Sequence, residues 1–65
     1  MSSDSQLNRA MEVIGSRAFV YYDAGKEFPY AVGQIEPGEA MRILGTGKSF
    51  EEALSAADKL LTAVH

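Results

Sequence analysis

The sequence predicts a small α+β domain of order α-β-β-β-α: a three-stranded antiparallel sheet with two helices packed on one face. Apolar residues recur at helical spacing near both ends of the chain, over residues 7–14 and 50–64. Between them lie three short runs rich in aromatic and β-branched residues. The connections between those runs are too short for the crossover that parallel strands need, so neighbouring strands pair antiparallel. With 65 residues and no linker, repeat or low-complexity stretch, residues 1–65 form a single domain. A domain of this size has a thin stability margin.

The first helix is expected over residues 4 to 14. Ser3 to Gln6 reads S-x-x-Q, a capping-box pattern. Leu7, Ala10, Met11 and Ile14 fall at i, i+3, i+4 and i+7, and Gly15 follows as a C-terminal stop. The run SRAFVYYD predicts the first strand, and AGKEFP breaks it. YAVGQIE predicts the second strand. PGE turns the chain, because proline fixes its own φ and glycine accepts a positive one. AMRIL predicts the third strand. The last helix has the clearest signal. Ser49 and Glu52 form S-x-x-E, and Phe50, Ala53, Leu54, Ala57, Leu60, Leu61 and Val64 form an unbroken stripe behind it. Glu51 and Glu52 in its first turn suit the helix dipole.

Composition excludes several functions. There is no cysteine, hence no disulfide framework, thiolate nucleophile or zinc knuckle. Small secreted domains usually rely on disulfides, so a cytoplasmic setting is the expectation. No apolar run approaches the roughly 18 residues of a membrane span. Net charge is −3, and the six basic residues are scattered singly. That balance argues against non-specific binding to nucleic acid or membrane surfaces, which requires clustered Lys and Arg.

The stretch GTGKS, residues 45–49, invites comparison with a phosphate-binding P-loop, G-x-x-x-x-G-K-[ST]. Gly47, Lys48 and Ser49 match, but Arg42 stands where the first glycine belongs. The pattern also needs a parallel βαβ setting and a later strand carrying an acidic magnesium ligand, and the three-strand reading supplies neither. Glu51 and Glu52 would face the phosphate. Nucleotide binding is therefore not expected. Gly45 and Gly47 read instead as freedom where strand becomes helix, with Ser49 as the cap. The single histidine, His65, is the last residue and a poor place for a general base. Adjacent Glu51 and Glu52 point about 100° apart on a helix and do not converge. Neither a metal site, a cofactor nor an enzymatic activity is expected.

The segment ILGTGKSFEEALSAADKLL resembles the end of a double-stranded RNA-binding domain. That family has the same element order and similar length. It runs from its third strand through G-x-G-x-S into an alanine-rich helix. Gly45, Gly47, Ser49, Ala53, Ala56, Ala57, Leu60 and Leu61 fit that pattern. The element order matches over residues 17–63, and the specific matches lie in residues 45–61. The resemblance implies the fold. It does not carry over the family's RNA contacts. The family opens its last helix with K-K-x-A-K, where this chain has Phe50, Glu51, Glu52, Ala53 and Leu54, so only the alanine survives. The family's G-P-x-H hairpin loop is here DAGKEFPY, without histidine. An acidic first turn repels a duplex, because phosphate contacts dominate affinity. A second, narrower resemblance is to HicB-like antitoxins, through Ser49, Glu51, Glu52 and Ala53. Those are acidic proteins that bind a small toxin, but their P-D-L-P-G-C segment is not present here.

With both helices on one side, aromatic surface remains on the other side of the sheet. The expectation is a protein-contact module, a regulator or inhibitor of a larger partner, with a homodimer as one form. Its contact residues are the solvent-side aromatics Tyr21, Tyr22 and Tyr30 and the hairpin loop Lys26, Glu27 and Phe28. The competing class is a weak binder of double-stranded nucleic acid using Arg9, Lys26, Arg42 and Lys48.

Overall fold

The computed structural model describes residues 2–63, with side chains from residue 5 onward. Val64 and His65, both named above, lie outside the described residues, as does the side chain of Ser3. The order is α1 (Ser2–Val13), β1 (Ala18–Tyr22), β2 (Tyr30–Glu36), β3 (Ala40–Gly47) and α2 (Phe50–Ala63). The sheet has strand order β1-β2-β3, and both pairings are antiparallel. The α-β-β-β-α architecture with both helices on one face is the one the sequence predicts.

Helix α1 starts earlier than expected. It runs from Ser2, so Ser3 lies inside it and S-x-x-Q is not its cap, because a cap residue keeps a non-helical backbone. Its end is as expected: the Gly15 amide closes on the Met11 carbonyl at 2.9 Å, and Gly15 has φ of 134°. The β2–β3 turn also follows the sequence. The Glu39 amide donates to the Glu36 carbonyl at 2.9 Å, with Pro37 second and Gly38 third at φ 88°. That is the glycine position of a type II turn.

Strand β3 is longer than AMRIL, and this corrects the reading of its glycines. Gly45 and Gly47 belong to the strand, opposite Val32 and Tyr30. Neither has a positive φ. Their role is space. A Cβ on Gly45 would fall on the Ala53 carbonyl oxygen and 2.5 Å from the Ala57 nitrogen. One on Gly47 would lie 2.7 Å from the Ala53 nitrogen. Bare backbone in β3 and small residues in α2 let the helix lie directly on the strand.

The register contains one irregularity that no periodicity announces. Val32 faces Gly45 while Gly33 faces Ile43, so Leu44 is an extra residue, a β-bulge. The bulge turns Leu44 into the core beside Gly45. The core cluster is Ala10 from α1, Val32 and Leu44 from the sheet, and Phe50, Ala53, Leu54 and Ala57 from α2. Ile14, Ala18, Val20, Tyr30 and Leu61 pack around it. Leu60, expected in the buried stripe, is exposed.

The α2 N-terminus is capped as predicted, with a shift of one residue in half the motif. The Glu52 amide donates to Ser49 Oγ at 3.2 Å. Glu52 Oε1 in return accepts from the Lys48 amide at 3.0 Å, rather than from Ser49.

Candidate protein-contact face

The two faces of the sheet follow from the register. Val20, Val32 and Tyr30 pack on the core, so the residues alternating with them point away from the helices. That open face carries Phe19 and Tyr21 from β1, Ala31, Gly33 and Ile35 from β2, and Met41, Ile43 and Thr46 from β3. None of these residues is charged. The charged strand residues, Glu36 and Arg42, sit on the helix side, where Arg42 donates to Glu36 at 3.2 Å beside Gln34. An antiparallel sheet covered on one side normally puts its polar residues on the other. Here both sides are apolar: the charged pair sits at the turn end of the helix side, where Arg42 is exposed, and the open side has no charged strand residue.

Phe19 makes part of this face flat. It sits directly opposite Gly33, and a Cβ there would come 2.8 Å from the Phe19 Cζ. The ring therefore lies across bare backbone. Tyr21 and Ile43 stand about half exposed, and Met41 is 62% exposed, the largest value among the exposed apolar residues.

At the β1–β2 loop end the face deepens into a cleft of about 220 Å³, lined by Tyr21, Phe28, Pro29, Ala31 and Ile43 together with Asp23, Lys26 and Thr46. Asp23 shapes the loop that forms the wall. Its amide donates to the Pro29 carbonyl at 2.8 Å, its carbonyl accepts from Lys26, and its Oδ1 accepts from the Gly25 amide at 3.1 Å. The cleft is smaller than the roughly 300 Å³ at which cofactor pockets begin, and its floor is apolar. It is the size of an anchor pocket for a large side chain.

The six residues expected to make contact divide. Tyr21, Lys26 and Phe28 meet around the cleft. Glu27 lies exposed in the same loop but does not line it. Tyr22 and Tyr30 are a correction: they face each other across β1 and β2 on the helix side, ring centroids 4.8 Å apart. Tyr21 and Tyr22 are sequence neighbours in a strand, so they cannot share a face. Tyr30 packs against the core, and Tyr22 lies against its ring while remaining 56% exposed. The residues the sequence reading left out are Ile35, Met41 and Ile43. Their period-2 spacing within the strands was visible, but placing β3 on the same face as Tyr21 required the cross-strand register.

The four cations of the competing reading also divide. Arg9 forms a two-pronged pair with Glu51, one arm at 3.0 Å, and its guanidinium lies 5.8 Å from the centre of the Phe50 ring. That pairing holds the Glu51 carboxyl below its usual range and raises Arg9, the side-chain hydrogen bond being the main cause of both. Arg42 is paired with Glu36. Among the described residues, Lys26 and Lys48 have no ion-pair partner. Among these residues there is also no cluster of three metal-binding side chains, and no helix long and apolar enough to cross a membrane.

Comparison with family models, with curated proteins and with solved structures finds no match to this chain.

Proposed function

We propose that this protein is a protein-contact module that works through the open face of its sheet, as a regulator or inhibitor of a larger partner. One observation carries the reading: the strand residues of the uncovered face are almost all apolar and none is charged, with charge entering only at the loop, through Asp23 and Lys26. Folding requires an apolar helix side and gives no reason for a second apolar side. Contact with another protein does, because removing this apolar surface from water is favourable. Tyr21, Phe28, Met41 and Ile43 are each about half exposed or more. With full side-chain areas on the order of 200 Å² they present on the order of 400 Å². That is close to a tenth of the chain's 4528 Å² surface, the fraction a standard interface takes from a small protein.

The scaffold resembles that of double-stranded RNA-binding domains, and its cation arrangement argues against their function. Glu51 takes up Arg9 at the helix end where the family places lysines. The cations outside those pairs, Arg17, Lys26, Lys48 and Lys59, are scattered singly along the chain, which leaves few concerted phosphate contacts.

A photo-crosslinking residue placed at Ile43, and separately at Leu60 on the helix side, tests the proposal in cells that express the full chain. The expected result is a discrete set of crosslinked proteins from position 43 and not from position 60. Equal labelling from both, or none from position 43, would overturn the reading.

A further inference from the structure

We infer that the open face also pairs with a second copy of this chain, sheet against sheet, about a two-fold axis. The inference rests on the contact-face reading and names one occupant of that face. Three features point to a like copy. The first is charge. Each chain carries −3, so two copies repel wherever charged surfaces meet. The strand residues of the open face are a surface on which they can meet without opposing carboxylates.

The second feature is shape. The face has a recess at one end, the cleft walled by Tyr21, Phe28 and Ile43. It has a projection at the other, Met41, opposite Ile35 near the β2–β3 turn. A two-fold axis lying between the sheets and across the strands brings the loop end of each copy over the turn end of the other. Each Met41 then enters the partner copy's cleft. Such a contact is self-complementary, as a two-fold interface must be. Methionine suits the fit, being unbranched and favourable against aromatic edges such as those of Tyr21 and Phe28.

The third feature is area. Two faces of this size, with the flanks of Phe19, Ile35 and Pro29, bury on the order of 1,000 Å² in total. That is the lower bound for a specific interface and short of the roughly 1,600 Å² of a standard one. An interface at that bound belongs with the weak, transient contacts. A weak self-contact can be displaced by a larger partner, which keeps one face available for both.

Sedimentation velocity of the full chain from about 20 μM to 1 mM tests the pairing. The expected result is a reversible monomer–dimer equilibrium that added salt preserves, since screening relieves repulsion between like-charged chains. The thermal midpoint should rise with protein concentration, because association stabilises the folded chain by mass action. Met41→Glu should raise the dissociation constant at least about tenfold and remain folded, while Ser55→Glu on α2, which adds the same single charge away from the face, should change it far less. The chain has no cysteine, so single cysteines report register cleanly. Oxidising a mixture of Met41→Cys and Phe28→Cys should favour the mixed disulfide over either symmetric one. A chain that stays monomeric at 1 mM would overturn the inference, as would a dimer unaffected by Met41→Glu or one whose symmetric disulfides dominate. None of these results would touch the wider contact-face reading, which stands or falls on crosslinks to other proteins from position 43.

Discussion

Replacing Gly45 with alanine is the sharpest test of how this chain is held together. The added methyl would meet the backbone of α2, at the Ala53 carbonyl oxygen and at 2.5 Å from the Ala57 nitrogen, where ordinary contact begins at 3.4 Å. A backbone atom has no rotamer to escape into, so the helix must lift by roughly 1 Å. Helix α2 supplies Phe50, Ala53, Leu54 and Ala57, most of the core cluster, and each would lose contact with Val32 and Leu44. Overpacking usually costs about 1–3 kcal/mol, and a clash with rigid backbone belongs at the upper end. Alanine also stiffens the unfolded chain, which returns about 0.4–1 kcal/mol. The net loss is about 2–3 kcal/mol, against a total stability of roughly 3–10 kcal/mol for a chain of this length. The midpoint of thermal unfolding should then fall by roughly 15 °C. Urea and thermal melts followed by circular dichroism measure it. Gly25→Ala is the control, since its methyl would meet only Asp23 Oδ1 at an ordinary 3.5 Å, and it should stay within about 1 kcal/mol of the parent. If Gly45→Ala also stays within that range, close approach of helix to strand is not what position 45 provides.

Ser49→Ala removes the acceptor for the Glu52 amide and should cost about 1 kcal/mol in urea melts. Glu51 should titrate below the ordinary carboxylate range when its carboxyl carbon is followed by NMR, and Arg9→Gln should return it to that range. The sign fixes the pH window: a depressed native pKa contributes stability above the unfolded value near 4.3, and that contribution fades as pH falls through the native value. The hold between α1 and α2 should therefore loosen in acid and not in base. A short RNA duplex at about 50 mM salt should produce no saturable amide shifts at Arg9, Lys26 or Lys48; saturable shifts there would restore the nucleic-acid reading.

The parts of the fold that sequence made legible are those governed by local rules. The stripe from Phe50 to Ala57, the S-x-x-E cap and the Pro37-Gly38 turn each depend on neighbours within four residues, and each is present. What was not legible depends on strands meeting across the sheet. The bulge at Leu44 changes which β3 residues share a face, and no alternation within β3 signals it. The pairing of Tyr22 with Tyr30 on the helix side follows from a register set by Asp23 and Pro29 closing the loop. Half of the candidate site was therefore readable: Tyr21 and the loop residues Lys26 and Phe28. The β3 half, Met41 and Ile43, was not. The glycines were read as conformational freedom because sequence shows a missing side chain but not the helix backbone that fills its place.

The distribution of apolar residues between the two sides of the sheet bears on why the open face exists. The tightest contacts of the core are between small residues: Ala10, Ala53 and Ala57 are fully buried and Val32 is the largest side chain that is completely enclosed, with Leu44, Phe50 and Leu54 packed around them. Larger side chains, Tyr21, Met41 and Ile43, stand outside it. A chain selected only to fold alone has no use for apolar side chains on the uncovered side, since an exposed methylene contributes nothing to stability. The arrangement instead ties the helix tightly to the sheet through alanine and glycine, which holds the strands in place with little volume. The bulkier residues are left on a rigid, pre-formed surface. A surface already ordered before contact loses little entropy on binding. The small core and the apolar face are thus two sides of one economy: the helices make a stiff platform, and the platform presents the residues that another protein surface would bury.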